Sequence, residues 1–215
     1  MKKPRVLMAD DHSLILAGLR KLVEAECEVV GTVEDGRALV TAARKLRPDL
    51  ILLDISMPLL NGLEAARQLH SLVPECKLII LTMHASPTYA TEAFQAGASG
   101  YLLKRSAVSE LSLAIKSVLQ GQHYLTPSLT KDVLAVVLKP STGERGKPAS
   151  TALTARQREV LQLVSEGRGT KEIATILNVS VKTVEFHKFR IMQQLDLHTT
   201  ADLTKYAITH GITGL

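Results

Sequence analysis

Three carboxylates, a hydroxyl and an ammonium group form a set that could do chemistry together: Asp10 and Asp11 side by side, Asp54, Thr82 and Lys104. Crowded carboxylates repel one another, and a divalent cation relieves that repulsion. All-oxygen donors favour Mg2+, a hard ion that keeps several waters and pairs readily with phosphate. A lysine supplies a mobile positive charge for one phosphoryl oxygen, and a threonine hydroxyl can donate to a second. Such a set suits an aspartate that attacks phosphorus and becomes an acyl phosphate, while its neighbours position groups and stabilise charge. Each residue also has an ordinary role when taken singly. Asp10-Asp11 can be a turn ahead of a helix, Asp54 a turn carboxylate before Pro58, Thr82 a helix cap and Lys104 a solvated surface residue.

The elements that carry these residues favour the joint reading. Asp49-Leu50-Ile51-Leu52-Leu53-Asp54 contains an apolar run too short for a good helix, and it reads as a buried parallel strand. Pro58 forbids its continuation in a sheet centre, so Asp54 sits where the chain leaves the strand's carboxyl end. Strands are also expected at Arg5–Ala9, Glu28–Val33, Lys77–Leu81 and Gly100–Leu103. Helices follow each one: from Ser13 as N-cap to about Ala25, from about Arg37 to Leu46, from Asn61-Gly62 to about Leu72, from Pro87 to just before Gly97, and from about Val108 to Gln120. Five βα units in succession predict a doubly wound α/β domain, a parallel sheet with helices on both faces. Asp10, Asp11, Asp54, Thr82 and Lys104 then share the sheet edge where ligands gather in such folds.

Beyond Gly121 the alternation stops. Ser128–Leu138 reads as a helix, residues 139–148 as a linker by their Pro, Gly and Ser content, and four helices follow at about 154–166, 170–177, 181–195 and 200–210. The expected organisation is a domain over 1–122, a linking segment with one helix over 123–149, and a small all-α domain over 150–215. Net charge is +5, with 14 Lys+Arg against 13 Asp+Glu in residues 1–122 and 12 against 8 in residues 123–215. The basic surplus of the second part points to a polyanion partner. Cys27 and Cys76 are isolated, with neither metal-ligand nor disulfide spacing, and read as buried free thiols in a reducing compartment. Met1-Lys2-Lys3-Pro4 leads straight into a strand, and no apolar run has the length of a membrane span. A cytoplasmic protein with no membrane partner is expected.

Thr170–Leu177 and Val181–Leu195 are amphipathic helices joined by Asn178-Val179-Ser180, with Ser180 as N-cap. Two helices joined by so short a turn suggest a helix-turn-helix whose second member enters the major groove. Projected at about 100° per residue, that helix puts Val184, Ile191 and Leu195 on a core side and Lys182, Glu185, Phe186, Phe189 and Gln193 on the other. The chain has three Phe, and two lie on this outward face, where either DNA or a partner protein could cover them. Against DNA, Phe packs on a thymine methyl group and Lys or Gln reaches base edges or phosphates. Glu185 either accepts from cytosine N4 or repels phosphate, which argues for specific binding. Lys188 would have to snorkel, Arg190 is better exposed, and His187 sits at the core edge. The residues put forward for DNA contact are Lys171, Lys182, Thr183, Glu185, Phe186, His187, Lys188, Phe189 and Arg190.

Asp10-Asp11, Asp54 with Met57-Pro58 and Asn61-Gly62, Thr82, Gly97-Ala98 and Tyr101 through Lys104 resemble the receiver domain of two-component response regulators, over about residues 4–122. The resemblance implies a flavodoxin-like, five-stranded parallel sheet of order 2-1-3-4-5. It also implies that Asp54 is the phosphoacceptor, supplied by a sensor histidine kinase. Asp11, Asp54 and the backbone carbonyl of Ser56 would hold Mg2+, with Asp10 acting largely through water. Lys104 would contact the phosphoryl group, Thr82 would move toward it, and Tyr101 would turn inward behind Thr82. Ser56 and His84 match positions that tune phosphoryl lifetime. Leu153 through Leu161, Gly167, Lys171-Glu172-Ile173-Ala174, Leu177, Ser180 through Val184, His187, Ile191 and Leu195 resemble the LuxR-type helix-turn-helix of NarL/FixJ regulators, over about residues 150–213. Gln157 stands where Glu is common, Gly169-Thr170 replaces a Ser-Asn or Ser-Thr pair, and Gln194 stands where Lys is common; the first and third are expected to change surface charge. The last helix carries an apolar stripe of Leu203, Tyr206, Ala207 and Ile208, which serves either a homodimer contact or the domain's own core.

Together these imply a transcription factor whose DNA binding is controlled by Mg2+-dependent phosphorylation of Asp54. It would be no enzyme beyond slow self-dephosphorylation, and a homodimer when phosphorylated. Two other readings remain. A phosphohydrolase of the kind that places a second Asp two residues after its nucleophile has Ser56 against it. A DNA-binding regulator with an idle receiver would act without phosphorylation.

Overall fold

Short runs of branched apolar residues pair side by side into one parallel sheet, and the connections between them are helical. A computed structural model describes residues 2–138 and 153–213. The expected linker, 139–148, lies outside the described residues. The chain divides into two compact units, the first ending before residue 140 and the second following it, with the loop 58–60 left aside.

The first unit runs β1 (Arg5–Ala9), α1 (Ser13–Glu24), β2 (Glu28–Val33), α2 (Gly36–Leu46), β3 (Leu50–Leu53), α3 (Gly62–Leu72), β4 (Lys77–Thr82), α4 (Pro87–Gln95), β5 (Gly100–Leu103), α5 (Ala107–Leu119), β6 (Tyr124–Leu125) and α6 (Pro127–Val137). All pairings are parallel, in the order β2-β1-β3-β4-β5-β6. The order of the first five is as expected; the two-residue β6 adds a sixth strand. Its neighbours hold it: Tyr124 N donates to Ser99 O at 3.0 Å and Thr126 N to Tyr101 O at 3.0 Å. Helix α6 packs on α4 as part of this unit.

Alternation along the strands sends Val6, Met8, Leu50, Leu52, Ile79 and Leu81 into a core closed by α1 and α5. Leu7, Ile51, Leu53 and Ile80, equally buried, therefore face the other way, the side along which α2, α3 and α4 pack in succession. Asp35 caps α2 by accepting from Ala38 N at 2.7 Å, and Asn61 caps α3 by accepting from Glu64 N at 2.9 Å. Ser13 is not the cap of α1, as its hydroxyl had suggested. His12 takes that position without a side-chain cap bond, and Ser13 is the first helical residue. Gly97 ends the α4 segment at φ +95°, where a Cβ would also come within 2.6 Å of the His70 ring.

The second unit is all helical: α7 (Ala155–Ser165), α8 (Thr170–Leu177), α9 (Val181–Leu195) and α10 (Thr200–Thr209). Thr154 and Gln157 form a capping box at the start of α7, and Thr199 and Asp202 form another at α10. The turn between α8 and α9 is made by Asn178 in the left-handed region, φ 51°, and by Ser180, whose hydroxyl accepts from Thr183 N at 3.1 Å. Arg156 donates to the carbonyl of Leu177 at 2.8 Å and so ties α7 to the end of α8. Leu161, Ile173, Leu177, Val184, Ile191 and Leu203 lie in its core. Among the described residues no helix is long and apolar enough to cross a membrane.

Candidate functional site

Strand register builds the first site. Ala9 of β1 pairs with Leu53 of β3, so the next residue of each strand, Asp10 and Asp54, leaves the sheet beside the other. Both are buried. Leu103 of β5 pairs with Thr82 of β4, so Lys104 emerges two strands from Asp54, about 10 Å away at ordinary strand spacing. Only a long side chain closes that gap. Lys104 Nζ lies 2.8 Å from Asp54 Oδ2 and 2.7 Å from Asp10 Oδ2. Burial works to lower the lysine's pKa and is the largest single influence, but Asp54 and Asp10 together outweigh it and the net shift is upward. Lys104 is therefore a fixed cation at neutral pH.

Asp54 Oδ1 accepts from the backbone N of Ile55 at 2.7 Å. The loop behind it leaves no room for a side chain at Gly62, whose N donates to Ile55 O at 2.8 Å; a Cβ there would lie 1.9 Å from the carbonyl oxygen of Asp54. Asp11 is more exposed than Asp10 and meets His12 Nδ1 at 2.7 Å. The same His12 donates its backbone N to Asp10 Oδ1 at 3.0 Å. Asp10, Asp11 and His12 offer ligand atoms within 4.8 Å of one another. The adjacency of His12 to the acidic pair was the one sequence signal for this contact, and charge alone did not single it out.

Thr82 is fully buried at the end of β4, its Oγ1 accepting from His84 N at 3.3 Å. Tyr101 is also fully buried, pointing inward, and its hydroxyl donates to the His84 carbonyl at 2.7 Å. Burial first, and then Tyr89 and Asp54, push its phenol pKa up. The structure brings Ser56 and His84 together: Ser56 Oγ and His84 Nε2 are 3.1 Å apart, and the His84 ring stacks on Tyr89 at 4.7 Å. A link across 28 residues leaves no local trace in a sequence.

The second candidate site is the outer face of α9. Val184 and Ile191 are buried and Leu195 is half-buried against the core, while Lys182, Glu185, Phe186, Phe189 and Gln193 are exposed, the two sides of the helical projection; Arg190 is exposed as well. Lys171 on α8 is exposed too. Arg190 lies over the Phe186 ring at 5.8 Å from its centroid. Lys188 is half-buried and donates to Thr200 Oγ1 at 3.0 Å. Thr183 serves the Ser180 cap. His187 is half-buried, its pKa lowered by burial and then by Arg156, so it is neutral at physiological pH. Gln157 does not change a surface charge, because it is buried. Its Nε2 donates to Gln194 Oε1 at 3.2 Å. The two departures from the helix-turn-helix pattern are one: where Glu and Lys are common, two amides meet. On α10, Leu203 and Ala207 are spent on the domain's own core, and Tyr206 is half-buried and stacks on His210 at 3.8 Å.

Comparison with known proteins agrees with both halves. Residues 6–116 match the response regulator receiver domain, and residues 151–207 match the bacterial regulatory proteins of the luxR family. Response regulator UvrY of Escherichia coli is 34% identical over 209 residues, covering 96% of this chain and 94% of UvrY. Oxygen regulatory protein NreC of Staphylococcus epidermidis is 36% identical over 210 residues, covering 95% and 96%. Among solved structures, RcsB from Salmonella enterica serovar Typhimurium, bound to a promoter in the presence of phosphomimetic BeF3-, is similar with a TM-score of 0.59 and 28% identity, covering 99% of this chain and all of that one.

Proposed function

The chain belongs to the NarL/FixJ-type response regulators, a receiver domain joined to a LuxR-type helix-turn-helix, and from that premise we propose that phosphorylation of Asp54 by a sensor histidine kinase controls how the second domain binds specific double-stranded DNA. As a two-component response regulator with a DNA-binding domain it is a regulator rather than a classical enzyme. The reading is carried by one observation: Lys104 Nζ bridges Asp54 and Asp10 at adjacent strand ends.

Asp54 is the nucleophile in this account. A carboxylate oxygen forms the bond to phosphorus, and the bond from phosphorus to the donor nitrogen breaks, leaving the electron pair on that nitrogen. The Ile55 amide holds the carboxylate's orientation. Lys104, already against Oδ2, moves with the charge onto a phosphoryl oxygen. Thr82 Oγ1, which accepts from the His84 amide, moves so that its hydroxyl donates to a second phosphoryl oxygen. Because Tyr101 is anchored to the same His84, through its carbonyl, a shift at Thr82 is felt along the β4–β5 edge. That edge is the two-state element proposed to pass the signal on.

The residues fit Mg2+. Asp10 and Asp54 share the single ammonium group of Lys104, and Asp11 offers a further carboxylate oxygen within 4.8 Å of an Asp10 oxygen; carboxylates in excess of the nearby positive charge suit a hard divalent ion. Asp11, Asp54 and the Ser56 carbonyl would hold it, with Asp10 acting through water. When bound it supplies positive charge to the phosphoryl oxygens.

The helix-turn-helix would act as a homodimer on paired half-sites, consistent with a cytoplasmic regulator. The first test is chemical. Acetyl phosphate with Mg2+ is expected to add one phosphoryl group, located on the Asp54 peptide by mass spectrometry and absent from an Asp54→Asn protein. A phosphoryl group on another residue, or none, contradicts the assignment.

A further inference from the structure

Phe186 and Phe189 lie outside the hydrophobic core of the second unit. Val184 and Ile191, on the opposite side of α9, are each 1% exposed and fill the core, whereas Phe186 and Phe189 are 57% and 58% exposed. Rings of that size are ordinarily used as buried surface. Three residues apart on a helix, the two differ by about 60° in direction and about 4.5 Å in height, so they form one apolar ridge. That rise spans between one and two base-pair steps of about 3.4 Å. The ridge is bordered by positive charge, with Arg190 held over the Phe186 ring and Lys182 exposed on the amino-terminal turn.

An apolar ridge with cationic flanks matches a major groove, whose walls are phosphates. The one apolar group on a base edge of that groove is the 5-methyl of thymine. We propose that Phe186 and Phe189 select thymine by this methyl group, so that the bound site carries thymines on adjacent or next-adjacent base pairs. The inference deepens the DNA-binding reading of the second domain and rests on it. Glu185, exposed beside the ridge, strengthens the discrimination: it repels phosphate and accepts a hydrogen bond only from a base donor such as cytosine N4. A helix so equipped gains little from the backbone alone.

The test deletes methyl groups and nothing else. Full-length protein treated with acetyl phosphate is used to select tight-binding duplexes from a randomised pool, and thymines in the selected site are then replaced by deoxyuridine. Affinity is expected to fall about fourfold for each contacted methyl, the equivalent of about 0.8 kcal/mol for one buried carbon, and about fifteenfold for two. Phe186→Ala and Phe189→Ala proteins, which leave the core cluster of the second unit intact, are each expected to bind the thymine duplex more weakly and to lose one fourfold step of the uracil effect. Equal wild-type affinity for the two duplexes overturns the proposal while leaving DNA binding intact. So do alanine variants whose DNA affinity is unchanged, the result expected if the ridge is covered by a protein. Failure to select any duplex overturns the DNA-binding reading, and this proposal with it.

Discussion

Lys104→Met keeps most of the side chain's length and apolar stem and deletes its charge. Nζ sits 2.7 Å from Asp10 and 2.8 Å from Asp54, and the three side chains are 7%, 3% and 5% exposed. Hydrogen bonds to charged groups contribute about 1.5–3 kcal/mol each, and removing one partner of a buried ion pair costs about 3–5 kcal/mol because the remaining charge is left uncompensated. These describe the same loss from two sides and are not added. The expected destabilisation is therefore about 3 kcal/mol, roughly a 150-fold change in the folding equilibrium and a fall in Tm of roughly 10 °C. Urea unfolding of the full chain can be followed by tyrosine fluorescence, since three of its four tyrosines, Tyr89, Tyr101 and Tyr124, lie in the first unit and there is no tryptophan. In the presence of a chelator the variant should show the full loss. Mg2+ should then recover part of it, and should stabilise the variant more than the wild type, because the ion supplies the charge that the lysine no longer does. A variant as stable as the wild type in chelator would mean that the two carboxylates do not depend on Lys104. Equal stabilisation of both proteins by Mg2+ would mean that the ion does not use them.

Three further outcomes follow from the geometry. Gly62→Ala puts a Cβ 1.9 Å from the Asp54 carbonyl oxygen; relieving the clash should cost about 1–3 kcal/mol and slow acetyl phosphate labelling of Asp54, and unchanged labelling would show that the loop yields without moving the acceptor. Gln157→Glu removes the amide that meets Gln194, so it should destabilise by about 1 kcal/mol alone and be rescued by Gln194→Lys, a double-mutant coupling that urea titration reads directly; additive effects would deny the contact. Burial, and then Asp49, push the Cys76 thiol up to about 12, and a raised thiol pKa leaves about one part in ten thousand as reactive thiolate at pH 8. Iodoacetamide should accordingly label neither Cys76 nor the buried Cys27 in the native protein at that pH and both after unfolding, whereas fast native labelling of Cys76 would contradict the burial argument.

Much of this architecture could be read from the chain because its signals are local. A run such as Leu50–Leu53 bounded by Asp54 and Pro58 announces both a buried strand and its end, and parallel register then places Asp54 beside Asp10 without further information. The 3.6-residue period of α9 separated Val184 and Ile191 from Phe186 and Phe189 for the same reason. What could not be read depends on distant neighbours. Tyr124–Leu125 is too short to show a period and exists as a strand because β5 offers it hydrogen-bonding partners. Gln157 is a polar residue buried by its cap role and by Gln194, 37 positions away, so its type alone suggested a surface. Ser13 looked like the cap of α1, but the backbone enters the helix one residue earlier, where Asp10 accepts from the His12 amide. The Cys76 thiol was expected to be buried and is only half-buried.

The central claim is that the state of Asp54 sets the DNA affinity of the second domain. It is tested most directly by fluorescence anisotropy of one selected duplex, titrated with wild-type and Asp54→Ala protein, each with and without acetyl phosphate and Mg2+. Tighter binding after phosphodonor treatment in the wild type alone is the predicted result. No change in the wild type, or the same gain in the alanine protein, would contradict it.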